Sequence, residues 1–412
     1  MISVLAIHNY YRGANPSGEN TVFESETQLL RSRGHTVYDY VRRSDEIAGL
    51  SLQERISLIA QVAWSKRSYQ EIKKQLTVCD ADVAHFHNVF PLVSVSALRA
   101  CQEAGVPVVQ TLHNYRPICL NGLLFRNGSS CEACLGYRFP WPGVIHRCYR
   151  NSSAYSAVAG MTQFLQNLWC SWSKDPDVFI APSEHIRQKY ITAGFDSQRI
   201  VVKPNFVVDD GRPAIGQRDY ALFVGRLSAE KGLNTLLKAW RRLPDIPLLV
   251  VGGGPDEKEA RRIAHGLNNV KFVGRVDRET ARGYMASARF AVVPSECYEN
   301  FPMVVIEAFA SGTPVIASAL GALPELIADG YNGLLFKPKD AEDLARRVAW
   351  MWAHPREAAA FGSVARSTYV ERFTPERNYN QLLGVYGLAM RIRAAKPPVH
   401  SEVGGRFYSP VG

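Results

Sequence analysis

The chain has 412 residues, 46% of them hydrophobic, and a formal net charge of +10 at neutral pH. This length can bury two cores of ordinary size, and no stretch approaches the ~20 consecutive apolar residues of a membrane-spanning helix. The charge indicates an anionic partner, but no zinc-finger, homeodomain or RNA-binding motif accompanies it, which argues against nucleic acid. The first residues lack a basic leader and a cleavage site, so we expect a cytoplasmic protein.

Short apolar runs alternate with longer amphipathic segments through the first half of the chain. This rhythm predicts βαβ units and therefore a parallel, doubly wound α/β sheet, in which ligands collect beyond the carboxyl ends of the strands. A turn-rich, charged stretch reads as a linker, after which the same rhythm restarts. The predicted strands of the first half are 3–7, 36–40, 83–87, 106–112 and 178–181, and the predicted linker is 209–219.

Three polar clusters follow predicted strands of the first half. The first is a Gly-, Pro- and Asn-rich loop at 9–20, where Gly18 would let the backbone approach a phosphate, although an ordinary surface loop reads the same way. In the second, His85 and His87 point to the same side of a strand. They form either a metal-binding pair or buried, hydrogen-bonded histidines that line a cleft, and we favour the second interpretation. The third cluster contains His113, which is either a ligand contact or a capping histidine.

Four cysteines lie in the segment that follows His113, and two of them form a Cys-x-x-Cys pair. Several thiols close together in a cytoplasmic protein indicate zinc more than disulfides. The spacing is not the doubled pair of a standard zinc ribbon, so a structural zinc site and free, buried thiols both stay open. The four residues are Cys119, Cys131, Cys134 and Cys148.

Two motifs in the second half carry the chemistry. An apolar strand at 220–224 runs into GRLSAEKG, residues 225–232, and a second apolar strand runs into PSECYENFPMVVIEAFASGTPVIAS, residues 294–318. Within the second motif Pro302 suits the first turn of a helix, so a helix over 303–310 is expected. Free N–H groups at such a helix start bind anions, of which phosphate is the common one, and a carboxylate beside them suits sugar or ribose hydroxyls.

Taken together, these motifs resemble the retaining GT-B glycosyltransferases of family 4. The likeness rests on Glu299, seven residues and then Glu307, with the Gly-Thr-Pro frame behind them, and on GRLSAEKG, which matches G-R-L-x-x-E-K-G. It implies two Rossmann-like domains facing a cleft and a C-terminal helix that crosses back to the first domain. The expected bounds are 1–208 for the acceptor-side domain, 209–219 for the linker, 220–375 for the nucleotide-sugar domain, 376–395 for the crossing helix and 396–412 for a disordered tail.

The resemblance also implies roles for individual residues. Arg226 and Lys231 would stabilise the departing diphosphate, because two cations beside it offset its growing negative charge. Glu299 would contact sugar hydroxyls and Glu307 the ribose. His113 would lie against the sugar or the acceptor. The expected catalytic residues are thus His113, Arg226, Lys231 and Glu299, and the expected substrate-binding residues are Gly18, Gly225, Asn300, Phe301, Pro302, Met303, Val304 and Glu307.

The implied reaction moves a hexose from a nucleotide-diphosphate sugar to a hydroxyl of a glycan, with retention of configuration. A lipid-linked oligosaccharide of bacterial polysaccharide assembly is the expected acceptor. Catalysis is expected to need no cofactor. The resemblance places the four cysteines in an insertion that a bacterial subset of the family carries, and zinc bound there would be structural. The alternatives are an epimerase on the same fold and a non-catalytic nucleotide-sugar-binding protein. A basic and aromatic helix at 64–74 either rests on anionic lipid at the inner face of the cell membrane or is a solvated surface.

Overall fold

The computed structural model describes residues 1–11, 18–47, 49, 61–169, 175–209, 211 and 218–396. Three sequence expectations therefore lie wholly or largely outside the described residues, namely the centre of the loop at 9–20, most of the linker at 209–219 and the tail from 397 onward. The described residues form two α/β units, each built on a six-stranded sheet, and one small hairpin.

The strands of the first unit form a parallel sheet in the order β2-β1-β3-β4-β7-β8. Its inner strands β3, β4 and β7 are buried along their whole length, as continuous apolar runs between two layers of helices require. The bounds are β1 Ser3–Tyr10, β2 Thr36–Arg43, β3 Val83–Phe86, β4 Val108–Thr111, β5 Phe125–Arg126, β6 Ser129–Ser130, β7 Val178–Ala181 and β8 Ile200–Val202, with β5 and β6 forming the antiparallel hairpin.

Helices cover both faces of this sheet, and serines begin three of them. The Oγ atoms of Ser65, Ser94 and Ser183 accept backbone N–H groups of the first helical turn, which satisfies donors that have no partner inside the helix. The bounds are α1 Gly18–Ser32, α2 Lys66–Leu76, α3 Val95–Glu103, α4 Trp141–Ile145, α5 Ser153–Trp169 and α6 Glu184–Thr192.

The second unit repeats the architecture with the strand order β11-β10-β9-β12-β13-β14, again parallel throughout. This order reverses between β9 and β12, and the order of the first sheet reverses between β1 and β3. Ligands of doubly wound folds bind at such switch points, beyond the carboxyl ends of the two strands. The bounds are β9 Ala221–Val224, β10 Leu248–Val251, β11 Val270–Gly274, β12 Phe290–Val293, β13 Val315–Ser318 and β14 Gly333–Phe336.

The last helix of the second half returns to the first unit. Its side chains Leu382, Val385 and Tyr386 are buried in one apolar cluster with Val4 and Val109 of the first sheet. The expected crossing helix is therefore confirmed. The helices of this half are α7 Leu233–Trp240, α8 Glu257–Ile263, α9 Arg278–Ser287, α10 Met303–Ala310, α11 Leu323–Leu326, α12 Ala341–Ala353, α13 Pro355–Arg372 and α14 Pro375–Ala394.

Candidate active site

The loops that follow β9 and β12 touch at the switch point of the second sheet. Gly232 has a φ of 71°, and a Cβ added there would lie 1.8 Å from the carbonyl oxygen of Pro294. Only glycine fits a left-handed conformation and so close an approach. The N–H of Glu296 donates to the carbonyl of Glu230 at 2.8 Å beside this contact. The two motifs that the sequence analysis singled out are thus brought side by side.

Lys231 and Glu299 form an ion pair at this junction. Lys231 Nζ donates to Glu299 Oε1 at 2.6 Å, and Ser295 Oγ donates to the same oxygen at 2.5 Å. The Lys231 side chain is 30% exposed and the Glu299 side chain 11%, so the lysine is the more accessible member of the pair. The motifs predicted separate ligand contacts for these two residues, whereas in the structure the carboxylate is the partner of the ammonium.

Both members of the pair are charged at neutral pH. Burial acts to raise the pKa of Glu299, but the Lys231 ammonium and the hydrogen bonds from Lys231 and Ser295 hold this pKa below its ordinary value. Burial acts to lower the pKa of Lys231, but the Glu299 carboxylate outweighs it, so this pKa lies above its ordinary value. An incoming anion therefore meets a full positive charge that it must share with Glu299.

Arg226 lies in the same loop, whose backbone is in close contact with a neighbouring glycine-rich turn. A Cβ on Gly252 would lie 1.9 Å from the carbonyl oxygen of Gly225, and one on Gly254 would lie 2.2 Å from that of Leu227, so the glycine turn after β10 packs directly under the loop. The Arg226 side chain is exposed and forms no salt bridge with any described residue. Its guanidinium is available to a second anionic group near Lys231.

Helix α10 begins at Met303 after Pro302, as the sequence predicts. Glu307, one turn further on, has a carboxylate oxygen 3.5 Å from the guanidinium of Arg278. The ring of Phe301 is buried against Phe373, with the ring centroids 5.9 Å apart, so the expected ligand contact of Phe301 can come only from its backbone N–H. The other expected substrate-binding residues of this helix start, Met303 and Val304, are half-buried.

The carboxyl ends of the two sheets face each other across this site. Asn300 Nδ2 donates to the carbonyl oxygen of His113 at 2.6 Å, and Ser183 Oγ donates to the carbonyl oxygen of Asn300 at 2.9 Å. Glu325 accepts two backbone N–H groups at the start of α6, at 2.8 and 2.5 Å. These contacts place His113 of the first unit on the same cleft as the loops of the second unit.

Histidines at the ends of β1, β3 and β4 meet at the switch point of the first sheet. His87 Nδ1 and His113 Nε2 are 2.9 Å apart, and their rings stack with centroids 5.1 Å apart. His8 Nε2 donates to Asn20 Oδ1 at 2.9 Å and lies edge-on to His87. The second ring nitrogen of His113, Nδ1, forms no hydrogen bond with any described residue. This atom is therefore available to a ligand in the cleft.

Burial keeps these histidines neutral. It lowers the pKa of His8 and of His85 to about 4, and it holds the pKa of His87 and of His113 well below the ordinary value. A neutral His113 can donate or accept a hydrogen bond to a sugar hydroxyl, but it offers no positive charge to the donor. The positive charge of the site comes instead from the second unit.

We expect the folded chain to lose stability as the pH falls from 6.5 towards 4. In this window the unfolded chain protonates His8 and His85 while the folded chain does not, and one unit of pKa difference corresponds to about 1.4 kcal/mol. Between pH 6.5 and 5 each of the two residues should cost roughly 2 kcal/mol. Urea unfolding at pH 7.5 and 5.0 measures the loss. His85→Gln should remove its own share of the dependence, since His8, His87 and His113 keep theirs, and His146→Gln, on the exposed surface, is the control. Equal slopes in all three proteins would contradict this account.

A buried ion pair lies behind the histidines. Lys203 Nζ donates to Glu26 Oε1 at 2.5 Å, and both side chains are almost fully buried, at 1% and 2% exposure. The other carboxylate oxygen of Glu26 is 3.8 Å from His87 Nε2. Lys203 follows β8 and Glu26 belongs to α1, so the pair ties one edge of the sheet to the helix that leads away from the switch point.

Glu26, His85 and His87 bring three metal-ligand atoms within 4.8 Å of one another. Both ring nitrogens of His85 already have hydrogen-bond partners, at 2.9 and 2.8 Å. Lys203 supplies a positive charge at Glu26. This arrangement favours buried, hydrogen-bonded histidines over a metal-binding pair, as the sequence analysis did.

The four cysteines that follow His113, Cys119, Cys131, Cys134 and Cys148, are neighbours around the β5–β6 hairpin. Burial and then the nearby thiols of Cys119, Cys148 and Cys131 raise the pKa of Cys134 to about 11. A tetrahedral zinc ion with Zn–S bonds of about 2.3 Å needs its sulfur atoms about 4 Å apart. Among the described residues no three of these sulfur atoms lie within 4.8 Å of one another. The donor chemistry fits zinc, but the sulfur atoms would have to close in around it.

Several residues of the cleft escaped the sequence analysis. Asn114 Nδ2 donates to Glu19 Oε1 at 2.7 Å, and burial raises the pKa of Glu19. Glu19 follows Gly18, the first residue of α1, and its place beside that glycine was the signal that could have identified it. The pair of Lys203 and Glu26 had no such signal, because 177 residues separate the two side chains.

Two family models match the chain, "Glycosyltransferase Family 4" over residues 16–210 and "Glycosyl transferases group 1" over residues 210–368. D-rhamnosyltransferase WbpZ of Pseudomonas aeruginosa is 30% identical over 277 residues, which cover 61% of this chain and 72% of the relative. Phosphatidyl-myo-inositol mannosyltransferase of Mycolicibacterium smegmatis is 27% identical over 410 residues, 95% of this chain and 96% of the relative. The crystal structure of Anabaena HepE with UDP and glucose has a TM-score of 0.65 and 19% identity, covering 94% of this chain and 100% of that chain.

Two parallel α/β sheets that face each other at their carboxyl ends, together with the likeness to HepE, define a GT-B fold. The two family models and the similarity to WbpZ make the narrower assignment. The chain belongs to the glycosyltransferases of the family 4 type.

Proposed function

We propose that the protein transfers a hexose, with retention of configuration, from a nucleotide-diphosphate sugar to a hydroxyl of a lipid-linked oligosaccharide in bacterial polysaccharide assembly. The observation that carries the proposal is the charged, partly exposed Lys231, which shares a loop with the exposed Arg226 at the switch point of the second sheet. The relatives support it, since their names describe rhamnosyl and mannosyl transfer, the second to a lipid. HepE binds UDP in a similar fold.

The donor diphosphate would lie between Arg226 and Lys231. As the bond to the sugar breaks, negative charge grows on the leaving diphosphate, and the two cations stabilise it in a cleft that is partly shielded from water. Glu299 orients the ammonium and reaches the sugar hydroxyls from behind it. Glu307, beside Arg278, would hold the ribose. The backbone N–H groups at the start of α10 would complete the anion site.

The acceptor would approach from the first unit, where neutral His113 offers Nδ1 to a hydroxyl. Glu299 is paired with Lys231 and has a lowered pKa, which suits a fixed contact better than a nucleophile that must form a bond. Retention then follows if the leaving diphosphate oxygen takes the acceptor proton on the face that the diphosphate vacates. The acceptor oxygen forms its bond to the anomeric carbon as the bond to the diphosphate breaks.

A thermal-shift panel of UDP-, GDP- and ADP-sugars tests the proposal. One nucleotide series should stabilise the wild type, and Glu307→Ala should weaken the stabilisation because the ribose contact is lost. Glu357→Ala, an exposed glutamate of α13, is the matched control and should behave as the wild type. No stabilisation by any of the three series would count against the proposed donor class. Binding without turnover on any glycan acceptor would favour a non-catalytic binder.

We also propose that the four cysteines hold one structural zinc ion. The expected result is about one zinc per chain in protein purified without chelator, and loss of most of it in Cys131→Ser/Cys134→Ser, because two of the four thiolate ligands are gone. Cys79→Ser, which replaces a buried cysteine beyond the end of α2, should retain the metal. Elemental analysis by mass spectrometry measures the content. Zinc content below about a tenth per chain in the wild type would refute the site.

A further inference from the structure

A cavity of about 570 Å³ lies in the first unit, between the carboxyl end of the sheet and helix α5. Its walls are largely apolar, and they include Phe90 after β3, Leu112 after β4, Leu120 and the α5 residues Val158 and Ala159. His113 lines its inner end. This volume and lining are typical of a site for an amphiphilic molecule of which one part is apolar. The cavity thus extends the acceptor side of the cleft towards the surface.

Two arginines that line this cavity have their guanidinium groups over aromatic rings. The Arg116 guanidinium carbon lies 4.3 Å from the centroid of the Phe90 ring, and that of Arg150 lies 5.6 Å from each of the Tyr149 and Tyr155 rings. The Nε of Arg116 is buried and has no hydrogen-bond partner, and neither arginine forms a salt bridge with a described carboxylate. Two cations in a mainly apolar cavity suit an anionic group carried by an apolar molecule.

The cavity opens on a surface of unusual composition. From 133 to 174 the sequence contains no Asp or Glu, while Arg138, Arg147 and Arg150 are exposed there. Tyr155 and Val158 both line the cavity and belong to this surface, being 53% and 36% exposed. We name it the α4–α5 face. Its large apolar side chains, each between 47% and 63% exposed, are Tyr137, Trp141, Ile145, Tyr155, Met161 and Leu168.

We propose that the α4–α5 face rests on an anionic membrane surface and that the cavity beneath α5 receives the phosphate-linked lipid end of the acceptor from it. The proposal deepens the proposed glycosyl transfer and rests on it. Exposed aromatic and aliphatic side chains with arginines and no acids match the boundary between acyl chains and anionic headgroups. The lipid would lie under α5, the phosphate at Arg116 and Arg150, and the sugar hydroxyl near His113. None of the described helices is long and apolar enough to cross a membrane.

The basic helix that the sequence analysis considered for this role has a different surface. Trp64 and Tyr69 are half-buried and stack on each other with ring centroids 6.3 Å apart, and Tyr69 donates to Glu103 at 2.5 Å. The exposed residues of α2 are all polar, and they are Lys66, Arg67, Gln70, Lys73 and Lys74. Without an apolar component α2 offers charge alone, whereas the α4–α5 face offers both components.

Flotation of the full chain with vesicles of about one third phosphatidylglycerol in phosphatidylcholine tests the surface. The wild type should float, and Ile145→Ser/Met161→Ser/Leu168→Ser should lower the partition coefficient at least about tenfold, because the apolar contact is removed. A matched control carries three serines at other exposed apolar positions and should float as the wild type. It is Val78→Ser/Tyr331→Ser/Val370→Ser, whose side chains are 80%, 65% and 52% exposed. Equal partition of all three proteins, or no binding by the wild type, would refute the assignment of the α4–α5 face as a membrane-binding surface.

Decyl phosphate below its micelle concentration tests the cavity. It should stabilise the wild type in a thermal shift. Decanol, which lacks the phosphate, and inorganic phosphate, which lacks the apolar chain, should each stabilise it less. Ala159→Trp should abolish the shift by filling the cavity, and Arg150→Gln should weaken it severalfold. Stabilisation that persists unchanged in both variants would refute the assignment.

The nucleotide-sugar panel, run on the same proteins, separates the two proposals. Both sets of variants should keep the stabilisation by donor, since all of their substitutions lie outside the donor site. Donor binding without vesicle or decyl phosphate binding refutes the membrane proposal alone. Vesicle binding without stabilisation by any donor refutes the proposed function and leaves the surface assignment intact.

Discussion

Lys231→Met should lower kcat by about 10² to 10³-fold while changing KM for the donor much less. The Lys231 side chain is 30% exposed at the junction of the two motifs, so its loss removes the positive charge that we place beside the leaving diphosphate. A donor of this kind stabilises the transition state more than the ground state, and losses of about 3 to 4 kcal/mol are usual for one such group. Release of nucleoside diphosphate with the donor found in the thermal-shift panel provides the assay.

The ion pair with Glu299 requires a second variant. Removing the lysine alone leaves a buried carboxylate beside the diphosphate, and this repulsion would add to the loss. Lys231→Met/Glu299→Gln removes both charges, so any recovery over the single variant measures the repulsion, and the deficit that remains measures the catalytic charge. Lys238→Met, an exposed lysine of α7, should keep full activity. Wild-type kcat in Lys231→Met would refute the role of this residue.

Two continuous apolar runs were predictable from the sequence to the residue, whereas the strand expected at 106–112 is shorter and covers only Val108–Thr111. The expected strand at 178–181 and the expected helix at 303–310 agree with β7 and α10. Such segments are buried by any packing of a parallel sheet, so local pattern is sufficient to locate them. The segment from 200 to 208, IVVKPNFVV, shows the limit, because it has apolar residues at both ends and yet β8 ends at Val202. Pro204, two residues later, has no N–H to give to a neighbouring strand.

The candidate site was predictable as a set of residues but not as an arrangement. Arg226, Lys231 and Glu299 were identified from motifs, yet the motifs do not state that Glu299 is held by Lys231. That contact depends on Gly232, whose missing Cβ lets the two loops touch. A contact between loops that follow two different strands leaves no periodic pattern in the sequence of either loop. The same holds for His113, whose partner His87 comes from the neighbouring strand.

Lys203→Met should destabilise the chain by about 3 to 5 kcal/mol, the usual cost of leaving one buried charge without its partner. Glu26 is 2% exposed and its second oxygen has no hydrogen-bond partner, so water does not replace the lost ammonium. Urea unfolding at neutral pH measures the change. Arg242→Met removes a partner of Glu342 in a pair that is 57% and 69% exposed, and it should cost less than about 1 kcal/mol.

The double variant Lys203→Met/Glu26→Gln separates the contribution of the ion pair to stability from its contribution to activity. With both charges gone most of the stability should return, since a buried ion pair adds little over a neutral replacement. Activity should return less fully, because Glu26 lies 3.8 Å from His87, which contacts His113 at the cleft. A stable double variant with full activity would make the pair purely structural. One with a normal KM for the donor and a raised KM for the acceptor would show that the buried charge positions His113 through His87, although neither Glu26 nor Lys203 touches substrate.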